Sequence, residues 1–65
     1  MASQAAAERI FICGNGRYYV TDRHGTLIVQ RQAWLGRTFV GYAGGLAEAI
    51  ARIEADARCW QIRAA

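Results

Sequence analysis

The stretch Arg9-Ile10-Phe11-Ile12-Cys13-Gly14-Asn15-Gly16-Arg17-Tyr18-Tyr19-Val20-Thr21-Asp22 decides the fold of this chain. Its two flanks are rich in β-branched and aromatic residues, which suit a pleated, half-buried surface. Between them lies Asn-Gly, the pair that best tolerates the positive φ required at both central positions of a type I′ turn. The segment therefore reads as a β-hairpin turning on Asn15-Gly16. Such a turn opposes Gly14 to Arg17, Cys13 to Tyr18, Ile12 to Tyr19 and Phe11 to Val20. Opposed residues share a face. Phe11, Cys13, Tyr18 and Val20 then form one face, uniformly core-like, and Ile10, Ile12, Arg17, Tyr19 and Thr21 form the other.

Downstream, Asp22-Arg23-His24-Gly25 turns the chain into a third strand, Thr26-Leu27-Ile28-Val29-Gln30-Arg31. With an even loop Val20 opposes Val29, so Leu27 and Val29 join the first face while Ile28 and Gln30 join the second. A three-residue loop bulged at Gly25 reverses that assignment, because a one-residue slip flips every side chain. Residues 32–37 form a connection whose shape the sequence leaves open. Thr38-Phe39-Val40-Gly41-Tyr42 reads as a fourth, short strand interrupted by a glycine, and Ala43-Gly44-Gly45 ends it.

A helix follows from Leu46 to about Arg58, with Leu46, Ile50, Ile53 and Ala57 as a narrow apolar stripe. Glu48–Arg52 and Glu54–Arg58 are i,i+4 pairs in the favourable orientation, acid first. Cys59-Trp60-Gln61-Ile62-Arg63 reads as a last strand or an extended tail packed on the sheet. The element order is βββ(β)αβ: an α+β fold, an antiparallel sheet of three to five strands with one helix on one face. Residues 1–65 make a single domain, and the alanine-rich residues 1–8 read as a frayed lead.

Composition narrows the function. The chain has no proline and seven aromatics, and it is 54% hydrophobic, so it is globular rather than disordered. No run reaches the roughly 18 apolar residues of a membrane span. The start has neither a basic segment nor a strongly apolar one, which argues against a signal peptide and for a cytosolic protein. There Cys13 and Cys59, both placed in expected strands, read as reduced, buried thiols. Thirteen alanines, seven glycines and eight arginines, with no lysine, suggest GC-rich coding in a bacterium, its phages or its plasmids.

The inventory of catalytic groups is nearly empty. Ser3 is the one serine and lies in the lead, so a Ser-His-Asp arrangement lacks a nucleophile. His24 is the one histidine and sits in a turn. Two cysteines and one histidine at these spacings match no zinc pattern. Without lysine there is neither a Schiff base nor a P-loop. Gly14-Asn15-Gly16 is no dinucleotide fingerprint, since Tyr19 holds the third glycine position. Gly44-Gly45 before the helix offers free N–H groups to an anion, or simply a flexible approach to the helix. The chain reads as non-catalytic, with no cofactor and no metal.

Charge and surface point to binding. All of the net charge of +3 belongs to the sheet half, where Arg9, Arg17, Arg23, Arg31 and Arg37 face only Glu8 and Asp22. On the second face Ile10, Ile12, Tyr19 and Ile28, edged by Arg17, Thr21 and Gln30, make an apolar patch. Either Trp34-Leu35 or Trp60-Ile62 folds over it, or it meets a partner or a second copy of the chain. The expected binding residues are Arg17, Tyr19, Ile12, Ile28, Arg23, Arg31 and Arg37. Arginine beside tyrosine serves protein hot spots and equally base stacking with phosphate pairing.

In size and composition, though in no motif, the chain resembles the small phage-encoded inhibitors of bacterial defence, the anti-CRISPR kind. The resemblance implies a host-cytosol protein that blocks a defence complex by protein–protein contact and steric occlusion. The alternative expectation is a small basic nucleic-acid-binding module.

Overall fold

The hairpin forms, but on a different turn. In the computed structural model, which describes residues 8–65, β1 (Glu8–Cys13) and β2 (Gly16–Arg23) are joined by Gly14-Asn15. Gly14 has φ +62°, while Asn15 is not in the positive-φ region. That is the pattern of a type II′ turn, in which only the first central residue needs glycine. The register is accordingly Cys13–Gly16, Ile12–Arg17, Phe11–Tyr18 and Ile10–Tyr19, not the one the Asn-Gly reading gives.

The correction has a physical reason. A Cβ on Gly16 would lie 2.8 Å from Cε1 of Tyr18, so this glycine is required by the ring folded against it rather than by a turn. The register moves by two residues, and an even shift leaves each side chain on its face. Pair identities change and face membership survives.

β3 (Thr26–Gln32) follows through His24-Gly25, both at positive φ, which gives an even loop. Val20 opposes Val29 as expected. β4 (Arg37–Ala43) is antiparallel to β3, with an irregularity between Val29 and Gln30: Gly41 opposes Val29, Phe39 opposes Gln30, and Val40 is the extra residue. The two-residue strand β5 (Arg63–Ala64) adds to the far side of β1. The result is a five-stranded antiparallel sheet in the order β4-β3-β2-β1-β5.

The helix α1 (Leu46–Ala57) packs mainly over β4 and β3. It buries Ala49 and Ile53 completely, while Leu46, expected in the stripe, is 38% exposed. Small residues allow the close approach: Ala43 and Ala49 are buried, and a Cβ on Gly41 would meet the Arg52 stem at 3.3 Å. The core is Phe11, Cys13, Tyr18, Val20, Val29, Ala43, Ala49 and Ile53. Full burial of each large apolar side chain contributes about 1.5–3 kcal/mol.

The chain after the helix departs from expectation. Arg58 caps α1 in the left-handed conformation (φ 53°, ψ 47°), so its side chain leaves the helical row. Glu48–Arg52 forms an ion pair at 3.0 Å, whereas Glu54–Arg58 forms none among the described residues. The turn at Arg58 also delays the last strand to Arg63, so Cys59 and Trp60 belong to a corner rather than to a strand. Glu8, expected in the frayed lead, opens β1; the rest of that lead lies outside the described residues.

Candidate interaction face

Alternation along each strand assigns one face of the sheet to the helix and leaves the other without a covering layer among the described residues. The open face takes Ile10 and Ile12 from β1, Arg17, Tyr19, Thr21 and Arg23 from β2, and Ile28, Gln30 and Gln32 from β3. β4 contributes Arg37, Phe39 and Tyr42, as their partners Gln32, Gln30 and Ile28 show. Phe39 and Tyr42 are three residues apart and would fall on opposite faces of a regular strand. The bulge at Val40 absorbs one residue and brings both rings to the open side, edge to face at 5.0 Å. They are 53% and 60% exposed.

Neither segment offered as a cover for this face takes that place. Trp34 and Leu35 stand at the tip of the β3–β4 loop, 93% and 85% exposed. The loop beneath them is held by Ala33 N–H donating to Gly36 O (2.9 Å) and by Gln32 Nε2 donating to the carbonyls of Ala33 and Gly36. Gly36 at φ +86° completes the turn. Ile62 packs against the core on the helix side, and Trp60 is 74% exposed. Register places the tip beside Arg17 and the Gly14-Asn15 turn, since Tyr18 opposes Arg31.

Within the face, Tyr19 is 7% exposed. The Arg37 guanidinium lies 3.6 Å from its ring centroid, its hydroxyl donates to Gln32 Oε1, and Arg37 pairs with Glu8 at 2.7 Å. The Arg37 guanidinium, bonded to Glu8, holds the Glu8 carboxyl below the usual glutamate range. Tyr19 and Arg37 therefore form a closed stack that rigidifies the middle of the face. Ile12 and Ile28 are half-buried beside it, and Arg17 and Arg23 are exposed at its edge. Neither Arg17 nor Arg23 pairs with an acid among the described residues. Arg63, opposite Ile12, adds a third edge arginine.

Arg31 is the one expected binding residue that the structure places on the helix side. It pairs with Asp56 at 2.7 Å, and Asp56 also accepts the Tyr18 hydroxyl at 2.7 Å. Burial, then the bonded Asp56 carboxylate, push the Tyr18 phenol up to about 12. Although burial opposes it, the Tyr18 and Arg31 hydrogen bonds leave Asp56 below its ordinary range. This triad ties β2, β3 and α1 together.

The helix N-terminus is occupied from within. Glu48 accepts the Gly44 N–H at 2.9 Å and also binds Arg52, and those bonds hold its carboxyl low. A carboxylate where an anion would sit leaves the Gly44-Gly45 segment no anion to receive. Among the described residues, no three His, Cys, Asp or Glu side chains converge, and no helix is long and apolar enough to cross a membrane.

Sequence reasoning missed Phe39, Tyr42, Arg63 and the tip. A signal existed for the first two: a glycine inside a strand pattern, Gly41, marks a bulge. Comparison with protein-family models, curated proteins and solved structures returns no match.

Proposed function

We propose that this chain is a non-catalytic binding protein that docks on a partner protein through its open sheet face and the Trp34-Leu35 tip. In this reading it acts as small phage-encoded inhibitors of the anti-CRISPR kind do, occupying a surface that a bacterial defence complex needs. The observation that carries the binding reading is the tip. Two large apolar side chains, 93% and 85% exposed, sit on a hydrogen-bonded loop and stay almost wholly outside the core of the described residues. A tryptophan can remove 150 Å² or more from water on docking, and Trp, Tyr and Arg dominate interface hot spots. Phe39, Tyr42 and Arg17 continue the same surface.

A second reading, a nucleic-acid module, is favoured by Phe39 and Tyr42 standing exposed on the face that also carries Arg17 and Arg23. It is weakened at the residues that first suggested it. Tyr18 is buried with its hydroxyl on Asp56, and Tyr19 lies under Arg37, so neither ring is free to stack on a base. Leu35 has no π face to offer one.

The test is capture of a host-extract protein on the immobilised chain, compared with Trp34→Ala and with a gel shift on single-stranded DNA and RNA. The protein reading expects a partner retained by the wild type and lost by Trp34→Ala. A salt-sensitive shift abolished by Phe39→Ser, with no protein retained, would overturn it in favour of the second. Light scattering reads self-association directly: a mass near 7.2 kDa excludes a homodimer through this face.

A further inference from the structure

We propose that Cys13 and Cys59 are a peroxide-sensitive thiol pair that closes an internal disulfide, fastening the corner after the helix to the end of β1. Cys13 is the last residue of β1 and fully buried; Cys59 is half-buried and packs against the same core. The two thiols lie near enough for each to shift the titration of the other, and Cys59 packs against the cluster that contains Cys13. Position agrees: a Cβ on Gly14, the neighbour of Cys13, would lie 3.7 Å from Cβ and 3.8 Å from Sγ of Cys59. The left-handed turn at Arg58 aims Cys59 back at the sheet, with its N–H on Glu54 O at 3.2 Å.

The pair is asymmetric in a way that divides the chemistry. Burial, then the neighbouring thiol, push Cys13 up to about 11, so it stays a protonated thiol. The neighbouring Cys13 thiol, then the backbone at Gln61 and Gly14, draw Cys59 down. Cys59 is also the more accessible, as an attacking thiol must be. Its thiolate sulfur attacks one oxygen of hydrogen peroxide, the O–O bond breaks, hydroxide leaves, and Cys59 becomes a sulfenic acid. The Cys13 sulfur then attacks Cys59, the S–O bond breaks, and the hydroxyl departs as water with the Cys13 proton. The hydroxide takes up the proton Cys59 released. Two thiols are oxidised to a disulfide, and one peroxide is reduced to two waters.

The bond would close most of the chain into a loop, from Cys13 to Cys59, and restrict the unfolded state accordingly. It stands independently of the binding reading. The experiment treats the pre-reduced full chain with hydrogen peroxide, followed by non-reducing peptide mapping and thermal unfolding. Expected are a Cys13–Cys59 linked peptide, loss of both thiols, and a rise in the unfolding midpoint of about 10 °C or more, reversed by dithiothreitol. In Cys13→Ala the reaction stops at a Cys59 sulfenic acid that dimedone captures; in Cys59→Ser, Cys13 remains a thiol. Intermolecular disulfides, over-oxidised Cys59 without a linked peptide, or an unchanged midpoint would overturn the proposal. If either variant fails to fold, the wild-type map and midpoint decide alone.

Discussion

The two faces of the sheet are built from the same strands, yet alternate residues meet different fates. On the helix side Tyr18, Val20, Val29 and Cys13 are at most 2% exposed. On the open side Ile12 and Ile28 are half-buried, and Phe39 and Tyr42 keep more than half of their surface in water. Apolar character is similar on both sides. What differs is the layer above, because one helix of twelve residues can cover only one face of a five-stranded sheet. Hydrophobicity by itself does not distinguish core from interface; the presence of a second layer does.

The largest effect that tests this contrast is at Tyr18. Tyr18→Ala removes a fully buried ring and is expected to lose about 3–5 kcal/mol in urea unfolding, enough to unfold much of a 65-residue domain. Tyr42→Ser, one face over, is expected to change stability by less than about 1 kcal/mol. Equal losses at the two sites would mean the open face is core.

Next comes the tip, where the contrast is sharpened by function. Trp34→Ala is expected to weaken partner binding by about 2 kcal/mol or more while the unfolding midpoint stays put, since Trp34 is 93% exposed. Tyr19 behaves differently from the rest of its face: buried under Arg37, it should lower stability when cut to alanine. Tyr19→Ala thus reports on the Arg37 stack and not on docking.

Smaller is the hydroxyl of Tyr18. Tyr18→Phe keeps the ring and leaves Asp56 with Arg31, so about 1 kcal/mol is expected from the lost hydrogen bond. Smallest, and visible only on acidification, is the titration of Asp56. Its carboxyl lies below the ordinary aspartate value of 3.8, so the stability it contributes is fully present above that value. It is lost as pH falls through the lower, folded-state value. Urea midpoints measured from pH 6 down to pH 2 should therefore fall less steeply for Asp56→Asn than for the wild type; parallel curves would remove Asp56 from the acid response.

Legibility in the sequence follows the range of the interaction. The hairpin, the third strand and the helix rest on local spacing, and face membership even survived a misplaced turn. That turn went astray because Gly14-Asn15-Gly16 offers two two-residue turns, and the choice lies with the Tyr18 ring packing on Gly16. The site was half legible. Ile12, Ile28, Arg17 and Arg23 share the open face as alternation implies; the same alternation puts Arg31, opposite Tyr18, on the helix side, where it meets Asp56 of a helix 25 residues on. Phe39 and Tyr42 were invisible to strict alternation because a bulge in β4 decides their face.

By itself, then, the sequence determined that this is a basic α+β domain whose first three strands carry two apolar faces. That much is periodicity, turn chemistry and composition, all local. Tertiary structure alone decided that a bulge brings Phe39 and Tyr42 to one face, that Trp34-Leu35 projects instead of folding back, and that Cys59 packs against the core that holds Cys13. Each depends on a contact between residues far apart in the chain, where spacing carries no information and only packing does.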